Sequence, residues 1–129
     1  MALRACTPDD AEAVCRLIDA TIDVSYAEFY SPAINQFFKD FHNIARVRDR
    51  IAAGTAVVYV EDGEVIATGA AEDNRIFAMF VAPTHQGRGL GREIMAALED
   101  RLRKAGHEEA LLSMSLPSEP FYIGLGYVQ

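Results

Sequence analysis

Six consecutive residues, Gln86-Gly87-Arg88-Gly89-Leu90-Gly91, set glycines at three alternate positions, with Arg88 among them and Arg92 following. Glycine has no Cβ, so the backbone there can turn sharply and approach a ligand closely. The apolar positions Leu90, Ile94, Leu98 and Leu102 recur every four residues from the same stretch, which places the turn at the N-terminus of a helix. The first four amides of a helix lack intrahelical acceptors, and the aligned peptide dipoles leave about half a positive charge there. The chemistry this supports is anion binding, with phosphate as the natural guest. The Arg88 and Arg92 side chains could clamp outer phosphates in a bidentate way.

Two familiar phosphate loops can be tested against the spacing. A Walker A loop ends in Gly-Lys-Ser/Thr, whereas this chain has Gly91-Arg92-Glu93, and that reading fails. The dinucleotide fingerprint requires G-x-G-x-x-G near the start of two mononucleotide-binding halves. Here the order is G-x-G-x-G, in the second half of a chain of 129 residues. That loop remains only as a weak alternative.

The segment resembles the acetyl-coenzyme A loop of the GCN5-related N-acetyltransferase (GNAT) superfamily, Q/R-x-x-G-x-G/A after a strand ending in a Val-x-Pro-like step. Gln86 to Gly91 fits the loop and Phe80-Val81-Ala82-Pro83 fits the strand exit. Downstream, Phe121-Tyr122-Ile123-Gly124-Leu125-Gly126-Tyr127 is similar to the superfamily's late F-Y-x-x-L-G-F/Y segment. The interval between the two motifs also agrees, and the resemblance spans nearly the whole chain.

The resemblance implies a function: transfer of an acetyl group from acetyl-coenzyme A, as cosubstrate, to a primary amine of a small molecule or peptide. Gln86, Gly87, Arg88, Gly89, Leu90 and Gly91 would hold the pyrophosphate. Backbone amides around Phe80 and Val81 would meet the thioester oxygen as negative charge develops on it. Tyr122 matches the tyrosine that commonly protonates the departing thiolate, and a phenol near pKa 10 suits that task. Several relatives carry a basic glutamate at the position of Arg75, so no base transfers there. Glu72, with Asp73 at the adjoining turn, is the candidate to deprotonate the ammonium through a water. His85 has a suitable intrinsic pKa but sits in the phosphate loop, where loop packing explains it. Pro117-Ser118 stands where relatives often carry Asn-Ala. A non-catalytic acyl-coenzyme A binding or sensing domain is the alternative of a different class.

These residues need elements to position them. Ile76-Phe77-Ala78-Met79-Phe80-Val81 is a continuous apolar run before the loop, which predicts a strand buried on both faces. Gly106 is the expected stop of the helix that follows. Ahead of the run, Thr55 to Val60 and Glu64 to Ala71 read as strands joined by the hairpin turn Asp62-Gly63. The chain opens with a short strand, Ala2 to Cys6, and then Thr7-Pro8-Asp9-Asp10, a helix start signal. Ser31-Pro32 and Asn43 announce two further helices, the second stopping at Gly54. They resemble the pair that roofs the acceptor side in the superfamily. Tyr26, Phe29, Tyr30, Phe37 and Phe38 would mainly pack in the core, with a share in shaping an acceptor pocket.

A strand from Ala110 to Leu116 should run parallel to the strand at 75 to 81, because a helix links them by a right-handed crossover. Phe121 to Leu125 then makes a short helix ended by Gly126. The predicted fold is α/β with a mixed sheet: an antiparallel meander plus a parallel strand pair, flanked by helices, as in acyl-coenzyme A N-acyltransferases. One domain over residues 1–129 is expected, without the closing hairpin usual in the superfamily.

Composition narrows the function classes. Half the residues are apolar, enough for one core burying roughly two-thirds of the unfolded surface. No apolar run reaches the ~18 residues of a membrane span, so no membrane partner and a cytoplasmic setting are expected. Cys6 and Cys15 have no metal-ligand spacing, so they read as reduced core thiols and no metal is expected. A net charge of −7 argues against a nucleic-acid partner, which would need clustered cations. An apolar strand edge at Leu111, Leu112, Met114 and Leu116 predicts a homodimer.

Overall fold

The computed structural model describes residues 2–113 and 118–127. The chain runs β1 (Ala2–Ala5), α1 (Ala11–Ser25), α2 (Pro32–Phe41), α3 (Ile44–Ala52), β2 (Ala56–Glu61) and β3 (Glu64–Glu72). It continues through β4 (Arg75–Val81), α4 (Leu90–Lys104), β5 (Leu111–Leu112) and α5 (Glu119–Gly124). The sheet has five strands in sequential order, antiparallel from β1 to β4 and parallel between β4 and β5. This is the mixed α/β architecture predicted from the sequence.

The local signals act through visible caps. The Ser31 hydroxyl accepts from Ile34 N at 3.3 Å, and the Asn43 side chain accepts from Arg46 N at 3.0 Å. These bonds satisfy amides that would otherwise be orphaned at the starts of α2 and α3. Before α1, Pro8–Asp10 forms a single helical turn. The Asp10 carboxylate accepts from Thr7 N at 2.7 Å and pairs with Arg4 at 2.7 Å, tying the helix start to β1. Asp62 and Gly63 take left-handed conformations (φ 52° and 77°) at the β2–β3 hairpin, as a two-residue turn of this kind requires.

The sheet carries a core on each face. On one side Val14, Ile18 and Ile22 of α1 and Val47 and Ile51 of α3 pack against Val58, Ala70 and Phe80. On the other, Ile94, Met95 and Leu98 of α4 pack with Tyr122 against Ile66, Ala67 and Ile76. Gly69 lets α4 approach the sheet: a Cβ there would lie 2.8 Å from Ile94 Cγ2 and 2.5 Å from Met79 Sδ. Each strand therefore divides its side chains between two apolar layers.

β4 departs from the expected strand in two ways. Only Ile76 and Phe80 are buried; Phe77, Ala78, Met79 and Val81 are half-exposed, because cavities adjoin that part of the strand. Its alternation also breaks. Phe77 and Ala78 both face the α1 layer, whereas Met79 and Val81 face the α4 layer. Ala78 has φ 56°, and the pairing with β3 shifts register between Thr68 and Ala70. This is a β-bulge, with one extra residue inserted in β4.

β5 is described as Leu111–Leu112, with Ser113 N donating to Ile76 O at 3.1 Å. The rest of the predicted strand, including Met114 and Leu116, lies outside the described residues. Leu111 is exposed at the outer edge.

Candidate active site

The bulge determines what β4 offers on its β5-facing side. Ala82 N donates to Ile66 O at 2.8 Å, so the two-residue alternation turns the Phe80 amide toward β3 as well. The amides of Met79 and Val81 then point to the opposite side. Val81 O confirms that direction by accepting from Gln86 Nε2 at 3.0 Å. The expected pair of donors at Phe80 and Val81 therefore divides: Val81 presents its amide to the open side, and Phe80 presents its ring to the α1 layer.

Beside this half of β4 lies a groove of about 510 Å³. Its walls include Val81, Gln86, Gly87, Gly89, Leu90 and Gly91, together with Arg92. Gly87 and Gly89 are left-handed, with φ 82° and 83°, and a Cβ on either would meet nothing within 4 Å. Gly89 caps α4, and the first return bond of the helix is Glu93 N to Gly89 O at 3.1 Å. The amides of Leu90, Gly91 and Arg92 thus lack intrahelical acceptors at the positive end of the helix. An open glycine cradle, free amides and one lining cation together fit a pyrophosphate.

Arg88 takes a different part from the one expected. Its guanidinium donates twice to the Glu61 carboxylate, at 3.0 and 2.8 Å, and is not in the groove wall. His85 Nε2 also lies 3.2 Å from Glu61. Arg88 holds the Glu61 carboxyl below its ordinary pKa, and the cluster fastens the loop to the end of β2. Of the two arginines, Arg92 is the one that lines the groove.

A second cavity, of about 440 Å³, lies on the other side of the same strand end. Tyr26, Met79, Phe80, Ser118 and Tyr122 border both spaces. Tyr122 is 2% exposed, packed at 5.1 Å from Phe121 and 6.3 Å from Tyr127. Burial raises its phenol pKa, with Tyr26 and Tyr127 adding to the effect. The hydroxyl is therefore a firmly neutral group, a weaker acid than the ordinary phenol assumed from sequence.

Glu72 and Asp73 line the second cavity, but at the opposite end from Tyr122 and Phe80. Glu72 pairs with Arg75, five residues before Phe80 on β4. At ~3.3 Å per residue that is roughly 15 Å of strand. Glu72 and Tyr122 thus border one cavity, Glu72 near the β3–β4 turn and Tyr122 where the cavity meets the groove.

The aromatic cluster of α1 and α2 is split. Tyr26 is buried, 5.2 Å from Phe38 in a T-shaped contact and 6.4 Å from Phe80. Phe29 and Phe37 are exposed, and Phe37 stands on the rim of the second cavity. His42, which the sequence did not single out, lies in the same wall, 5.2 Å from Phe80. Arg50 Nη2 is 2.9 Å from His42 Nδ1. Since arginine only donates, Nδ1 accepts and the ring proton is on Nε2. Burial, then Arg50 and Arg46, lowers the His42 pKa to about 4. No signal in the sequence joins His42 to Arg50, because the contact is made only when α3 folds back. Among the described residues no group of three or more His, Cys, Asp and Glu is placed to hold a metal ion.

The chain matches a protein-family model described as an acetyltransferase (GNAT) domain over residues 20–129. Solved structures with the same fold include a GCN5-related N-acetyltransferase from Rhodopseudomonas palustris. It has a TM-score of 0.92 and 22% identity over 98% of this chain and 81% of that one. The paiA N-acetyltransferase of Thermoplasma acidophilum, in complex with coenzyme A, gives 0.79 and 14% identity over 97% and 86%. The yncA protein of Salmonella typhimurium with its cofactor acetyl-coenzyme A gives 0.72 and 21% over 99% and 79%. No curated protein matches the chain.

Proposed function

The chain belongs to the acetyltransferase (GNAT) domain family, and from that premise we propose that it moves the acetyl group of acetyl-coenzyme A to a primary amine of a small molecule or peptide. One observation carries the reading: Tyr122 and Phe80 border both the glycine-loop groove and the second cavity. A thioester delivered along the groove would meet an amine arriving from the other side at that boundary.

In this proposal the cosubstrate pyrophosphate rests on the free amides of Leu90, Gly91 and Arg92, cradled by Gly87 and Gly89, with Gln86 bracing the strand exit. The neutral amine attacks the thioester carbonyl carbon, forming the C–N bond and placing negative charge on the carbonyl oxygen. The Val81 amide donates to that oxygen. As the C–S bond breaks, the thiolate takes the Tyr122 proton, and the nitrogen loses its surplus proton through water, which restores the phenol. The raised phenol pKa keeps the proton on Tyr122 before the bond breaks, but it makes the transfer to a thiolate less favourable than an ordinary phenol would. Glu72 and Asp73 attract the arriving ammonium, and Glu72 takes its proton through water to leave the neutral amine that attacks.

A cytoplasmic setting and a homodimer belong to the same proposal. The first is supported by the two free cysteines. The second is supported by the outer edge of β5, where Leu111 is exposed.

The test is release of free thiol from acetyl-coenzyme A by the full chain with a panel of primary amines. Amine-dependent release is expected. Saturable coenzyme A binding without amine-dependent release would favour the non-catalytic binder.

A further inference from the structure

We infer that the acceptor is a primary amine carried on a flat, apolar, ring-bearing body without a carboxylate, a class exemplified by arylalkylamines. The inference rests on the acetyltransferase reading above and narrows it. Seven phenylalanine and tyrosine rings line the second cavity: Tyr26, Phe37, Phe38, Phe41, Phe77, Phe80 and Tyr122. Its volume, about 440 Å³, is within the range of small-molecule sites.

Two of these rings, both on α2, are left exposed in a way that core packing does not explain, although Arg46 lies over the Phe41 ring at 4.8 Å from its centroid. α2 buries none of its residues, and Phe37 and Phe41 are 63% and 43% exposed. Covering that area with an apolar ligand removes it from water. The neighbouring rings already meet in tilted and edge-on contacts, with centroids 5.0 to 5.9 Å apart for Tyr30–Phe38, Tyr26–Phe38 and Phe37–Phe38. A further ring can join them in the same geometry.

The polar groups select the rest of the molecule. Glu72 and Asp73 at the far end outnumber Arg75, whose Nη1 donates to Ser113 Oγ at 2.8 Å. His42 in the wall is neutral, so it does not repel an ammonium. The mouth therefore favours a cation and disfavours a carboxylate. A polyol such as an aminoglycoside would find partners at the Glu72–Asp73 end but would set its remaining hydroxyls against ring faces, and stranded polar groups weaken binding strongly. The amine is led past the rings to Tyr122 and Phe80, where the cavity meets the groove.

The experiment measures thiol release by the full chain with acetyl-coenzyme A and 2-phenylethylamine, spermidine, kanamycin or a lysine peptide. Coenzyme A binding is followed separately by calorimetry. For 2-phenylethylamine, kcat/KM should exceed that for the other three by about ten-fold or more. Phe37→Ala, a change at an exposed position, should raise KM for 2-phenylethylamine several-fold, with kcat and coenzyme A affinity nearly unchanged. Thiol release favouring spermidine, kanamycin or the peptide would overturn the acceptor class while leaving the acetyltransferase reading intact. An unchanged KM in Phe37→Ala would also overturn it. Coenzyme A binding with no release from any amine would overturn both.

Discussion

Tyr122 is the residue on which the chemistry turns. Replacing it with Phe keeps the ring between Phe121 and Tyr127 and removes only the hydroxyl. Turnover should fall about ten- to a thousand-fold, with coenzyme A affinity retained; steady-state kinetics equal to wild type would reduce Tyr122 to a packing role. Asp10 gives a prediction about stability. Its pKa is lowered from 3.8 to about 2, chiefly by the Arg4 hydrogen bond. A lowered folded value means that the stabilisation is present above about pH 4 and is lost as pH falls through about 2. Arg4 is half-exposed, so screening reduces the effect to roughly 1 kcal/mol. Urea midpoints should show Asp10→Asn less stable than wild type near neutrality, with the gap closing toward pH 2. At this scale the sequence was legible where geometry is local, as in the left-handed turn at Gly87 and Gly89. It was silent where partners meet through the fold: Glu61 with Arg88, 27 residues away, and His42 with Arg50. The place of Glu72 was hidden for the same reason, since proximity along β3 and β4 does not reveal which end of a cavity a side chain occupies.

Elements were more legible than contacts. Ser31-Pro32, Asn43 and Asp62-Gly63 each carry their own physical instruction, and the caps and hairpin stand where those residues place them. The β4 bulge carries no such mark, because Ala78 is an ordinary alanine held at φ 56° by the pairing around it. Gly69 does carry one, since an isolated glycine inside a strand signals a bulge or a close approach. Here it faces α4 opposite the bulge. Gly69→Ala should destabilise by about 1–3 kcal/mol, because its Cβ would press on Ile94 at 2.8 Å and on Met79 at 2.5 Å. Met79 borders both cavities, so turnover should drop as well. Thermal denaturation decides the first part, and a melting temperature equal to wild type would contradict the packing described for α4 on β3.

For the whole molecule, layer order and strand direction followed from the sequence because a crossover helix between two strands of one sheet leaves few topologies. The depth of the cavities did not, since it depends on α2, none of whose residues is buried. Self-association is the prediction at this scale. Multi-angle light scattering at micromolar concentration should give twice the chain mass of 14.2 kDa, through the exposed β5 edge. A folded, active monomer would contradict it. The central claim is that the glycine loop and the free end of α4 hold coenzyme A, and calorimetric titration of coenzyme A tests it most directly. The account predicts saturable binding at one site per chain, weakened at least about ten-fold in Gly89→Val, where a β-branched side chain meets a left-handed backbone inside the cradle. The absence of binding to the wild-type chain, or equal affinity in a folded Gly89→Val variant, would contradict it.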